Sequence, residues 1–123
     1  GRTALHHAVH NNHLPIVKLL LAIDTIDVGA KDENGWTPLT VAVEAGHTAI
    51  VAYLLTSTLA DPHTKTNDGR TLLTFAAAGG HNHLIARLLA IPGTDVNAAD
   101  NDNWTALTYA TFHYHVDTAK ALL

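Results

Sequence analysis

An all-helical solenoid of stacked helix-turn-helix units is the fold class this sequence predicts, and three observations carry the prediction. The chain repeats itself at an offset of 34 residues over nearly all of its length. Within each repeat, apolar residues recur at three and four positions, the period of a helix with one buried stripe. Each helical stretch is only about nine residues, too short to hold in water alone, so neighbouring repeats must bury its stripe.

The register divides a single domain, residues 1–123, into units 1–34, 35–68, 69–102 and a truncated 103–123. Each unit opens on Gly1, Gly35 or Gly69, with Asn103 in the fourth slot, and two positions later carries Thr3, Thr37, Thr71 or Thr105. A Thr there caps the first helix by accepting an orphan backbone N–H, and Pro38 suits the start of such a helix. Leu5, Leu39, Leu73 and Leu107, with Ala8, Ala42, Ala76 and Ala110, lie on the buried stripe. Asn12, Gly46 and Gly80 then supply residue types that tolerate the left-handed backbone of a tight helical turn. Tyr114 departs from that pattern, and the last turn is expected to be strained or rebuilt. His13, His47, His81 and His115 follow, and Pro15 fits the first turn of the second helix. That helix closes on Leu20, Leu54, Leu88 and Leu122 and their neighbours Leu21, Leu55, Leu89 and Leu123. Polar stretches such as residues 95–103 come next, rich in turn formers and without helical period, and predict reversing hairpin-like loops.

The segment from Gly35 to Ala42 resembles the GxTPLHxA helix start of the ankyrin repeat family. Gly46–His47 and Gly80–His81 are similar to its GH turn, and residues 95–98 to its DVNA approach to the hairpin. The likeness runs over residues 1–123. Thr40, Thr74 and Thr108 stand where the family's usual His is retained only as His6, Leu72 and Ala106 replace Pro, and the repeat is one residue longer than the usual 33. The Thr replacements put the hydrogen bonding of the helix start in question. The resemblance implies a β-hairpin-like joint between units and a protein–protein interaction module that works through the hairpin tips and first helices, on the concave face.

Composition limits the alternatives. With no Cys, disulfide frameworks and thiolate chemistry are excluded. Seven basic and 11 acidic side chains leave a net charge of −4, against general nucleic-acid binding. No run approaches the roughly 20 apolar residues of a membrane span, and no secretory signal is visible, so the expected setting is intracellular, in the cytoplasm. Ser57 is the lone serine, without a nucleophile elbow, and no phosphate-binding glycine loop occurs. The chain is therefore read as non-catalytic and without a cofactor.

Ten histidines invite a metal reading, because His6, His10 and His13 at i, i+4 and i+7 could present imidazoles along one helix face. Against it, His13 belongs to the column His47, His81, His115, whose rings are expected to bond loop backbone, and no metal site is assigned. Protonating all ten would move the formal charge from −4 to +6, so binding that varies between about pH 5 and 7 is a corollary.

Columns that vary in residue type report what the surface is free to do. Arg2, Trp36, Arg70 and Trp104 follow the hairpin; His7, Val41, Phe75 and Tyr109 lie on the first helix; His10, Glu44, Ala78 and Phe112 come one turn later. Of these, Arg2, Trp36, Arg70, Trp104, Val41, Glu44, Phe75, Tyr109 and Phe112 are the candidate partner-binding residues, with outward-facing rings expected at Phe75, Tyr109 and Phe112. Units about 10 Å apart would line up a groove of roughly 30–35 Å. Nine of the eleven carboxylates (Asp24, Asp27, Asp32, Glu33, Asp61, Asp68, Asp95, Asp100 and Asp102) fall in the joints between units and favour a partner carrying basic residues. Leu89, followed after five residues by Asp95–Asn97, resembles the context in which ankyrin repeats are hydroxylated on Asn, making Asn97 a modification candidate. Leu5, Leu20 and Leu21 at one end and Leu122 and Leu123 at the other are expected to be partly bared, with end-to-end self-association as the consequence. Neither end carries a polar capping unit, as in a piece of a longer protein. The alternatives to recognition are a structural spacer within a larger protein and a His-mediated metal-binding fragment.

Overall fold

The computed structural model describes residues 1–123 as eight helices in four antiparallel pairs. They are α1 (Ala4–His10), α2 (Leu14–Leu21), α3 (Pro38–Ala45), α4 (Thr48–Leu55), α5 (Leu72–Gly79), α6 (Asn82–Leu89), α7 (Ala106–Phe112) and α8 (Val116–Leu122). None is long and apolar enough to cross a membrane. The odd-numbered first helices form one layer and the even-numbered second helices another, and the first layer is packed more closely from unit to unit. The alanines of the buried stripe explain this, since Ala42, Ala76 and Ala110 are fully buried and let backbones approach. The first-helix layer is thus the short, inner side of the stack.

Every first helix starts on its Thr cap. Thr37, Thr71 and Thr105 accept from the backbone N–H three residues on at 3.2–3.3 Å, each worth about 1 kcal/mol. The turn between helices is left-handed in all four units, with φ of 58° at Asn12, 73° at Gly46, 66° at Gly80 and 63° at Tyr114. The last turn is therefore strained, not rebuilt, because a Tyr side chain is held where glycine costs nothing.

The loops are hairpin-like without becoming strands. Asp32, Thr66 and Asp100 donate their backbone N–H groups to the Trp36, Arg70 and Trp104 carbonyls at 2.9–3.0 Å, and only Lys65 and Thr71 pair as a β-bridge. The tips are tied in series. Asn67 N–H reaches Asn34 O at 3.0 Å and Asn101 N–H reaches Asp68 O at 2.9 Å, while Asn67 Nδ2 donates to Glu33 O at 2.9 Å.

A second tie comes from the histidine column. His47, His81 and His115 donate Nε2–H to the carbonyls of His10, Glu44 and Ala78, at 3.2, 3.1 and 3.0 Å. Each ring thus bonds the preceding unit rather than its own loop, a correction to the expected role. Gly46 and Gly80 make room for it: a Cβ at Gly46 would lie 2.6 Å from the His81 ring, and one at Gly80 2.7 Å from that of His115.

One continuous core runs through all four units. Leu5 is fully buried in it, not partly bared as expected, whereas Leu20, Leu21 and Leu122 are half-buried and Leu123 is exposed.

Candidate functional site

The candidate surface is the inner face, where the hairpin tips lean over the first helices. Its side chains form an unbroken series. Arg2 lies over the Trp36 ring with 5.8 Å to the centroid, and Trp36 meets Phe75 edge-on at 4.8 Å. Arg70 is sandwiched between Phe75 and Tyr109, 4.9 and 4.6 Å from their centroids. Trp104 then touches Tyr109 at 5.0 Å and Phe112 at 5.1 Å. Aromatic pairs and cation–π contacts of this kind each contribute about 0.5–1 kcal/mol at exposed sites, so the stripe is ordered before any partner arrives.

Not every predicted residue is presented. Val41, Phe75 and Tyr109 are buried, which corrects the expectation that they face outward. Val41 joins the core where the first helices pack closely, and Phe75 and Tyr109 are roofed by Trp36, Arg70 and Trp104. They support the surface from beneath. Arg2, Glu44 and Phe112 are exposed and Trp36, Arg70 and Trp104 half-exposed; Phe112 alone leaves 70% of its surface open.

Polar groups fix the two arginines. Asp32 Oδ1 accepts from the Asn34 and Trp36 amides at 2.9 Å and Oδ2 from Arg2 Nε at 3.2 Å. Burial acts to raise the Asp32 pKa, but those amides and Arg2 together hold it below the ordinary carboxylate value. In the fourth unit the Tyr109 hydroxyl donates to Asp100 Oδ2 and accepts from Arg70 Nε, the latter at 2.9 Å. Burial likewise opposes ionisation of Asp100, yet the Tyr109 hydroxyl, the Trp104 and Asp102 amides and the charge of Arg70 outweigh it and depress its pKa. Burial and then the bond to Asp100 push the Tyr109 pKa up. This network joins residues 9 and 39 positions apart, and sequence periodicity held no signal for it.

A family model described as Ankyrin repeats (3 copies) matches residues 1–66 and again residues 57–123. This chain belongs to the ankyrin repeat family. Ankyrin repeats are generally protein-interaction modules. Among individual proteins, it is similar to SMC5-SMC6 complex localization factor protein 1 of Homo sapiens, 51% identical over 39 residues, which are 32% of this chain and 4% of that protein. The counterpart from Bos taurus matches with the same identity and coverage. The chain thus spans only a small fraction of the curated relatives it matches.

Set beside the ankyrin helix start, the His-to-Thr departures have a definite outcome. His6, fully buried, accepts from Thr3 N–H at Nδ1 (3.1 Å) and donates Nε2–H to Trp36 O in the next unit at 2.7 Å. In later units the hydroxyls of Thr40, Thr74 and Thr108 bond only within their own unit. Both nitrogens of His6 being engaged, it does not join His10 and His13 as a ligand set, and no group of three His or carboxylate side chains converges anywhere in the chain. Asn97 is exposed, its backbone N–H held by Asp95 Oδ1 at 3.0 Å. Five of the nine joint carboxylates (Asp27, Asp32, Asp61, Asp95 and Asp100) accept backbone N–H groups in turns and so shape the loops.

Proposed function

We propose that this ankyrin domain recognises a partner protein along its inner face, through Arg2, Trp36, Arg70, Glu44, Trp104 and Phe112, with no turnover of its own. The ordered arginine–aromatic series is the observation that supports this reading. Trp, Tyr and Arg anchor interfaces well because they bury much area at little cost in rotamer entropy, and a stack of four units offers room for a standard interface of about 800 Å² per partner. The acidic joints favour basic groups on the partner, and association should slow as salt rises.

The relatives' name speaks of localising a complex, but it describes proteins of which the match covers 4%. A match of 39 residues is little more than one repeat, so it supports shared repeat chemistry and not a shared partner. Asn97 is a second proposal, as a hydroxylation position, favoured by its exposed side chain. A one-oxygen mass increase on the Asn97 peptide from animal cells tests it.

The test of the binding face is a triple variant at exposed positions, Arg2→Glu, Glu44→Lys and Phe112→Ser, compared with Arg87→Glu on an outer helix. The expected result is partner retention reduced at least about tenfold in the triple variant, with helical circular dichroism unchanged and the Arg87 variant unaffected. Equal retention in all three proteins would overturn the reading.

A further inference from the structure

Of the three arginines in the chain, Arg2 and Arg70 lie on aromatic rings and against the carboxylates of Asp32 and Asp68. Arg87 has neither kind of partner and stands exposed on α6. The repeat explains why nothing covers it. One unit earlier the same slot holds Tyr53, and Lys18 of the first unit lies over that ring, 5.4 Å from its centroid. At the following joint Ala52 takes the place of Lys18, and a methyl group cannot reach across.

What remains is an open cavity of about 910 Å³ on the outer side, between α4 and α6. Leu55 lines it from α4, and Ala90, Ile91 and Pro92 line it from the end of α6. His83, one turn before Arg87, and Thr48 at the start of α4 complete the rim, and no carboxylate lines it. The apolar wall is fixed in place. Thr94 donates its hydroxyl to the Leu88 and Ile91 carbonyls, each at 2.9 Å, and His63 donates Nε2–H to the Pro92 carbonyl at 3.1 Å. Both sides of the groove belong to the second and third units, each of which has a neighbour on either hand.

We infer that this outer groove is a second docking site, and that its occupant is an acidic segment of a partner protein carrying one apolar side chain. That side chain rests against Leu55 and Ile91 while carboxylates on either side of it meet the Arg87 guanidinium and the His83 ring. Charge complementarity decides the occupant. The guanidinium fork takes a carboxylate through two parallel N–H bonds, and no acid of the groove competes for it. The preference is opposite to that of the acidic joints, so the domain can hold partners of opposite charge on its two faces. The inference does not rest on the inner-face reading, since Arg87→Glu, silent in the inner-face test, is the variant that fails here.

Amide NMR shifts of the nitrogen-labelled whole chain test it, with the blocked peptide Glu-Glu-Leu-Glu-Glu added to about 1 mM. The expected result is saturating shifts confined to α4, α6 and the loop after α6, and none with Lys-Lys-Leu-Lys-Lys. Arg87→Glu and Thr48→Glu should each weaken binding at least about tenfold, with circular dichroism unchanged. No shifts with the acidic peptide, shifts on the inner face instead, equal binding of the basic peptide, or unaltered affinity in both variants would each overturn the inference. Shifts of the same residues on raising the protein concentration alone would put a second copy in the groove and overturn it as well.

Discussion

Replacing Tyr109 by Phe removes one oxygen from beneath the inner face and leaves the ring that carries Arg70 and Trp104. The lost hydroxyl donates to Asp100 Oδ2 and accepts from Arg70 Nε. Asp100 is 7% exposed, and its Oδ1 keeps the Asp102 and Trp104 amides at 2.9 and 3.0 Å, so Oδ2 is left with little access to water. A hydrogen bond to a charged group contributes about 1.5–3 kcal/mol. Arg70, partly exposed, can turn to solvent cheaply, which puts the expected loss near 2 kcal/mol at neutral pH, or roughly 8 °C in Tm. The sign with pH follows from the depressed Asp100 pKa. A carboxyl whose folded value lies below its ordinary 3.8 stabilises the fold above pH 3.8 and ceases to do so as pH falls through the folded value. The gap between parent and variant should therefore hold from pH 7 down to about 3.8 and shrink as the pH falls below it. Urea unfolding followed by far-ultraviolet circular dichroism reads both quantities. A gap below about 0.5 kcal/mol at neutral pH, within the range of an ordinary surface change, or one that does not narrow in acid, would refute the reasoning.

The ring staples give a paired comparison: His81→Ala is expected to lose about 1–2 kcal/mol in urea unfolding, while His13→Ala, which has no acceptor in the chain, should be neutral. Thr40→His should recreate the His6 arrangement one unit further along, reaching the Arg70 carbonyl and raising stability by about 1 kcal/mol; a fall in the urea midpoint would show that the slot does not admit the ring. Tyr114→Gly relieves a left-handed residue at φ 63° and is expected to gain about 1 kcal/mol, measured as a rise in Tm. Its failure to stabilise would mean that the Tyr114 side chain makes a compensating contact.

Much of this fold could be read before any coordinates, because it is written in short range and repeated. The Thr caps, the left-handed turns at Asn12, Gly46, Gly80 and Tyr114, and the paired helices all follow from neighbours a few positions apart. Exposure was harder. A column such as Val41, Phe75 and Tyr109 varies in type, which suggested a free surface, but its variation is matched by what lies over it from the hairpin tips. Trp36 covers a ring in the following unit, and Arg70 inserts between two units. Such pairings depend on how far units are offset and turned, and a 34-residue period states equivalence without stating contact. The histidine column misled for the same reason: the ring's acceptor lies 37 residues back, in another unit. In the Asp100–Tyr109–Arg70 network the Asp and Arg recur two units back as Asp32 and Arg2, but the Tyr109 hydroxyl that joins them is unique to one joint and so left no trace in the repeat.

The substitution of Thr for His at Thr40 and Thr74 leaves the joints unequal. Between the first two units, four kinds of cross-link operate, from His6, from His47, from the tip ladder and from the aromatic stripe. Further along, the helix-start link is gone, while the aromatic stripe, the tip ladder and the ring staples remain and the last joint adds the Asp100–Tyr109–Arg70 network. The first joint is therefore closed by a buried ring and the last by a hydroxyl–carboxylate–guanidinium network, so the two ends of the stack owe their stiffness to different chemistry.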